Sequence, residues 1–229
     1  MTEDLGRRRT EASLATERLR SEIVTGVVAP GAKLKLVSLA ERYAISRGPL
    51  REAATRLAAE GLVTIEDQRG FRVAAISRED LLDVTQTRQR IEILALRDSI
   101  AHGDLAWEGR VMAACHMLER VTTPDLDQNE DFRRHHGELH EALVAACPSQ
   151  YLLRFRERLY ALSQRYRNLA ANSAPPIRGQ RDVAGEHQAI AEAAVARDVE
   201  TACERLHNHL ARTADVLIAA YPMLFGSAS

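Results

Sequence analysis

Aromatic residues are scarce: four Phe, five Tyr and one Trp in 229 residues, 4% of the chain. Helices here must pack through Leu, Ala, Ile and Val. Cysteine is also sparse. Cys115, Cys147 and Cys203 lie far apart, with no CxxC pair. That excludes a disulfide scaffold and fits a reducing compartment. No apolar run approaches the roughly 18–20 residues of a membrane helix. The opening residues MTEDLGRRRTEA lack an apolar signal core, so the cytoplasm is the expected location and no membrane partner is expected. There is no nucleophile elbow, no phosphate-cradling glycine loop and no dinucleotide fingerprint. An enzyme is therefore not expected. Gly/Ser linkers, internal repeats and low-complexity blocks are absent too.

Charge is what the chain has, and it is unevenly placed. Residues 1–78 hold 14 Lys and Arg against 10 Asp and Glu, while the remainder is net acidic and the whole is −1. A basic head on an acidic body suits a nucleic-acid-binding domain joined to a sensor. Arg7-Arg8-Arg9 adds to the basic end and reads as a solvated tail. Residues 33–75 carry the sharpest pattern: helix, tight turn, second helix, then a β-hairpin. Ser46 is placed to cap the second helix, and Pro49 fits its first turn. Arg47 and Arg51 are four apart and share a face at its start. A recognition helix presents such N-terminal residues to base edges and phosphates in the major groove. The hairpin runs from Val63 to Glu66 and from Phe71 to Ala75, with Arg69 and Gly70 at its tip. This is the order of a winged helix-turn-helix. Its expected DNA-facing residues are Ser46, Arg47, Gly48, Arg51, Arg69 and Gly70. The bland alternative is a protein-interaction module with ordinary surface arginines.

The segment resembles the N-terminal domain of the GntR family of bacterial transcription regulators. Leu19, Ile23, Pro30-Gly31, Ser46-Arg47, Leu50-Arg51-Glu52-Ala53, Glu60-Gly61-Leu62-Val63 and Gly70-Phe71 carry the likeness without a gap. Gly48 stands where a threonine is common, and Val37 where some relatives have an arginine. The resemblance implies an operator-binding regulator.

From residue 77 onward every segment is helical in pattern. Ser77 with Asp80 reads as a capping box, which puts the domain boundary between residues 76 and 77. Helices are expected near 79–102, 105–121, 127–146, 149–171, 179–197 and 199–220. Gly103-Asp104, Thr123-Pro124-Asp125, Pro148-Ser149 and Asn172 to Pro176 punctuate them. The joint at Arg197-Asp198 leaves almost no loop, so Asp198 must cap. Arg88 with Ile91-Glu92, and Glu186-His187-Gln188-Ala189-Ile190 with His209-Leu210, make residues 77–229 similar to the FCD effector domain of the FadR-like branch. The expected fold class is mainly α: a winged helix-turn-helix followed by an all-helical bundle that also dimerises.

Four of the eight histidines form a pattern. His136 and His140 share one helix face. His187 and His209 lie on two consecutive helices that bring them level if antiparallel. Imidazole suits Zn²⁺, Ni²⁺, Cu²⁺ or iron, though such a pair also arises by chance on a surface. The FCD resemblance implies that His140, His187 and His209 are metal ligands and that His136 replaces an aspartate. One divalent transition metal per chain, Zn, Ni or similar, is thus expected. The string His136-Gly137-Glu138-Leu139-His140 is no HExxH site, because Glu138 lies two residues on, roughly 200° round the helix.

The same resemblance places an effector cavity beside the metal. Arg88 could face it. So could Arg158 and Arg165, seven apart on the 149–171 helix and edging an apolar stripe. A metal with arginines suits a small carboxylate. Tyr151-Leu152-Leu153, Arg156-Glu157-Arg158-Leu159 and Arg165-Tyr166-Arg167 are similar to one regulator of this branch, and that likeness implies release by a C5 dicarboxylate such as glutarate or 2-hydroxyglutarate. The reading is a homodimeric repressor on a palindromic operator, released by such an acid. A sensor for which the metal itself is the signal is the alternative.

Overall fold

The computed structural model describes residues 10–121, 129–173 and 181–225. Arg7-Arg8-Arg9 and Thr123-Pro124-Asp125 lie outside that set, as does most of the Asn172 to Pro176 break. The chain divides into two compact units, Met1–Ile76 and Ser77–Ser229.

In the first unit α1 (Glu11–Val24) packs on α3 (Arg47–Glu60), with α2 (Leu36–Tyr43) between them in sequence. Leu19 and Ile23 of α1 meet Leu50, Ala53 and Leu57 of α3 in a core closed to solvent. Two alanines and small spacing let the helices approach closely. A turn with Ala44 in the left-handed region joins α2 to α3. Ser46 occupies the N-cap position, yet its side chain makes no capping hydrogen bond. An N-cap oxygen takes the N–H of the second or third helical residue. Pro49, the third, has none, and Gly48, the second, does not donate to Ser46. Ser46 Oγ is left exposed. Gly61 ends α3 at φ +85°, a conformation that glycine adopts without the Cβ clash.

The sheet has the order β1-β3-β2 and is antiparallel. β2 (Val63–Glu66) and β3 (Gly70–Val73) form the hairpin, and β1 (Lys33–Leu34) adds a short edge opposite Arg72 and Phe71. Gln68 and Gly70 both have positive φ in its turn, which points the tip away from the core.

The second unit is helical throughout: α4 (Arg78–His102), α5 (Leu105–Glu119), α6 (Glu130–Val144), α7 (Gln150–Ser173), α8 (Val183–Val195) and α9 (Val199–Ala220). Ser77 Oγ accepts from Asp80 N, Asp104 from Trp107 N, and Asp198 from Thr201 N, so three expected breaks are capped. α4 packs against α7 and α9, and α5 against α6 and α8. Trp107, Leu96, Leu139, Ile190 and Leu206 centre the core. Gly103 is there for space: a Cβ would fall 2.3 Å from the Trp107 ring. The near-loopless joint between α8 and α9 works because Arg197 takes φ +60°. Its guanidinium then donates to the carbonyls of Ile100 and Gly103 at the end of α4, which offsets the strain of a non-glycine residue there.

Candidate metal centre and DNA-facing surface

α6, α8 and α9 bring four imidazoles into one buried chamber. His136 and His140 come from successive turns of α6, His187 from α8 and His209 from α9. Ring centroids lie 4.4 Å apart for His187–His209 and 4.5 Å for His136–His140. One nitrogen from each falls within 4.8 Å of the others. A tetrahedral centre with metal–nitrogen bonds of about 2.0–2.1 Å holds its nitrogens roughly 3.4 Å apart, so small ring rotations close the set.

Burial pushes all four imidazoles below their ordinary range. Neighbouring groups that also take a positive charge add to this: Arg167 first at His136, His187 and His209 at His140, and His209 with Arg167 and Arg181 at His187. Glu186 opposes the shift at His209 without reversing it. Neutral imidazole is the form that binds a metal.

The four differ in their partners. His209 Nδ1 lies 2.9 Å from Glu186 Oε2, which draws the proton to Nδ1 and leaves Nε2 as a lone pair. Glu186 is itself held by Arg181 at 2.6 Å and Arg212 at 3.2 Å. Burial alone would raise its carboxyl, but His209 and Arg181 hold it far below the usual range. His136 is engaged by Arg167 Nη1 at 3.0 Å and by the Tyr160 hydroxyl at 3.2 Å. His140 and His187 have no hydrogen-bond partner on either nitrogen, and both are buried. A buried unsatisfied polar atom costs about 1–3 kcal/mol. Each ring can turn one of these nitrogens toward the shared space, where its lone pair suits a metal ion. All-imidazole ligation suits Zn²⁺ or Ni²⁺ better than Mn²⁺.

Glu138 lies outside this chamber, exposed and paired with His135 at 2.7 Å, so no general base stands beside the imidazoles in the HExxH manner. His102, His116 and His207 are exposed.

Arginines line the chamber's other side. Arg88 of α4 is buried and donates from Nε to Glu92 Oε1 at 2.8 Å and from Nη1 to Ser163 Oγ at 3.1 Å. Two residues that sequence reasoning placed here are elsewhere. Arg158 is on the exposed face of α7, and Arg165 is buried beside Tyr166 and Asp80. The inward face of α7 carries Arg156, Tyr160, Ser163 and Arg167 instead. Each misplacement is a two-residue shift, roughly 200° round a helix. That polar stripe keeps a 4-3-4 helical spacing, which does not by itself separate it from the Arg158 and Arg165 face. The guanidiniums of Arg88, Arg156 and Arg167 surround the Tyr160 ring at 5.0, 5.2 and 5.6 Å from its centre. Gly137 lets α6 approach that ring, since a Cβ would sit 3.3 Å from the Tyr160 hydroxyl.

In the first unit Ser46, Arg47, Gly48 and Arg51 are exposed at the start of α3, and Arg69 and Gly70 at the hairpin tip. Among the described residues the guanidiniums of Arg47, Arg51 and Arg69 have no ion pair. Arg20, Arg42, Arg56 and Arg72 are paired with Glu60, Glu22, Glu52 and Glu66. These three unpaired guanidiniums sit at the helix start and the hairpin tip, the parts that a winged helix in general turns to DNA.

Comparison with known proteins agrees with this division. Residues 12–73 match the family described as "Bacterial regulatory proteins, gntR family", and residues 83–212 match the FCD domain. The chain is 37% identical over 195 residues to the HTH-type transcriptional repressor GlaR of Escherichia coli K12, covering 84% of this chain and 89% of that one. It is 38% identical over 205 residues to the HTH-type transcriptional regulator BphR of Paraburkholderia xenovorans LB400, covering 88% and 82%. Among solved structures, E. coli McbR/YncC shares the fold at TM-score 0.78 and 17% identity, covering 93% of this chain and 99% of that one. These families and relatives are regulators, not enzymes. No helix among the described residues is long and apolar enough to cross a membrane. The chain belongs to the GntR family of bacterial transcription regulators and joins its DNA-binding helix-turn-helix to an FCD domain.

Proposed function

We propose that this regulator is a repressor that binds a palindromic operator as a homodimer, and that a small dicarboxylate releases it. The observation that carries this reading is the buried histidine cluster flanked by buried guanidiniums. His140 and His187 have nitrogens with no partner, and Arg88, Arg156 and Arg167 gather around Tyr160. His136, His140, His187 and His209 would hold one divalent transition metal, zinc or nickel in type. Such an ion supplies a Lewis-acidic position for a carboxylate oxygen. Glu186 fixes the His209 tautomer, and Arg88 offers a fork for a second carboxylate. The α7 likeness to C5-responsive regulators points to glutarate or 2-hydroxyglutarate, whose 2-hydroxyl could complete a chelate.

A pure metal sensor would need no anion-binding groups, and the inward arginines are then unexplained. The dicarboxylate reading uses them. The test combines elemental analysis, calorimetry and gel shifts. Expected are about one metal per chain, glutarate binding, and an operator affinity lowered by the coupling factor with which DNA weakens glutarate. A protein that metal alone releases from DNA, with glutarate inert, overturns the effector reading and leaves the sensor.

A further inference from the structure

One side chain in this chamber has no counter-ion of its own. Arg156 is 7% exposed, and its Nε and Nη2 are closed to solvent with no hydrogen-bond partner, so it is not the usual arginine snorkelling to water. The nearest carboxylate is Glu92. Arg88 already binds it, with Nε at 2.8 Å and Nη2 at 2.6 Å from Oε1. Arg156 Nε stands 3.5 Å from Oε2, in a geometry that makes no hydrogen bond. Nη2 of Arg156 likewise has no partner. Glu92 is almost fully buried, so one carboxylate serves two buried arginines, with Arg167 a third cation beside the Tyr160 ring. Buried charge without full pairing is costly. A ligand carboxylate removes the imbalance, and its two oxygens match the planar fork bidentately. The histidines border the same ring, His140 at 6.1 Å and His136 at 6.4 Å between centroids.

We propose that Arg156, with Arg88, forms a second carboxylate subsite beside Tyr160, and that Arg156 selects dicarboxylates over monocarboxylates. This rests on the effector reading above, and it assigns a role to a residue outside the arginines that sequence reasoning named. One carboxylate sits toward the histidines and the other between Arg156 and Arg88. A monocarboxylate satisfies one end and leaves the other arginine unpaired.

The test uses the full-length metal-loaded protein, wild type and Arg156→Met. Met keeps much of the stem volume and removes the charge. The probes are C3 to C6 dicarboxylates, each against the monocarboxylate of equal length, with inorganic phosphate as a further arm. Wild type should bind its preferred dicarboxylate at least about tenfold more tightly than the matched monocarboxylate, the worth of one charged hydrogen-bonded pair. In Arg156→Met that ratio should fall to within about threefold, again on the scale of one lost charged pair. Metal per chain should be unchanged. The ligand-free variant should melt no lower than wild type, because an under-paired buried cation has gone.

An unchanged ratio in Arg156→Met overturns the subsite, as does a wild type with no dicarboxylate preference at all. A clear fall in the ligand-free melting temperature also overturns it, by making Arg156 a structural counter-ion of Glu92. Stronger binding of phosphate than of any dicarboxylate overturns the carboxylate assignment. A wild type that prefers C3, C4 or C6 sinks only the C5 choice made earlier, while loss of that preference in Arg156→Met still supports the subsite.

Discussion

At the scale of single residues, the four histidines are not equivalent. His140 and His187 have bare nitrogens, His209 is oriented by Glu186, and His136 already has Arg167 and Tyr160 as partners. Replacing His140, His187 or His209 by Ala should therefore strip most of the metal, read by elemental analysis. Loss of His136 should cost less, since a water can take its place. Acidity should act on the same residues. In the unfolded chain an imidazole takes its proton near pH 6.5, whereas burial holds the folded ones lower. Below pH 6.5 the unfolded state binds more protons, so this contribution is fully present above 6.5 and is lost as pH falls through the depressed folded values. Thermal melts of metal-free protein between pH 8 and 5 should drop on the acid side. A His187→Gln variant should drop less, and a flat wild-type profile would refute the assignment. The sequence made these residues legible because i, i+4 spacing and a helical hairpin are local rules. Glu186 went unread as an orienting group, since its partner His209 is 23 residues away on another helix.

At the scale of elements, α7 carries the most. Its inward stripe reaches the chamber, and one position on, Tyr166 donates to Asp80 Oδ2 at 2.5 Å and lies 3.3 Å from Ser77 O at the start of α4. The buried ring stacks on Phe225. Tyr166→Phe keeps the ring and removes those bonds, so it should lower stability by about 0.5–1.5 kcal/mol. Denaturant melts should show this without loss of metal. A variant as stable as wild type would mean the tyrosine hydroxyl does not hold α4. Helix existence was plain in the sequence, from caps at Ser77, Asp104 and Asp198. The inward face of α7 was not, because Arg158/Arg165 and Arg156/Arg167 fit helical spacing equally well. Only the neighbours α4 and α6 decide which pair is buried. β1 was unreadable for a related reason: two residues become a strand solely by pairing with β3, Leu34 with Phe71, 37 positions on, and Lys33 with Arg72, 39 positions on. Pro49 removes one of the two donors that a Ser46 cap could use, and that much was legible.

At the scale of the whole molecule, a net charge of −1 hides a basic first third. Affinity for DNA then depends on where the cations are rather than how many there are. Arg47 and Arg51 begin the helix that enters the major groove in a winged helix, and Arg69 is at the tip that lies along the backbone. The two positions should respond differently. Arg47→Ala and Arg51→Ala should each cost about 1–3 kcal/mol on the operator and relax sequence preference, because a fork to a base edge is lost. Arg69→Ala should weaken specific and random DNA alike. It should also reduce the slope of log affinity against log salt by about 0.9, the value for one phosphate contact. Gel-shift titrations at several salt concentrations separate the two outcomes. A change of slope without loss of preference at Arg47 or Arg51 would make those residues backbone contacts. Sequence discrimination would then rest on other residues of α3 or on DNA shape, and Ser46, with its exposed hydroxyl, would be the next side chain to substitute.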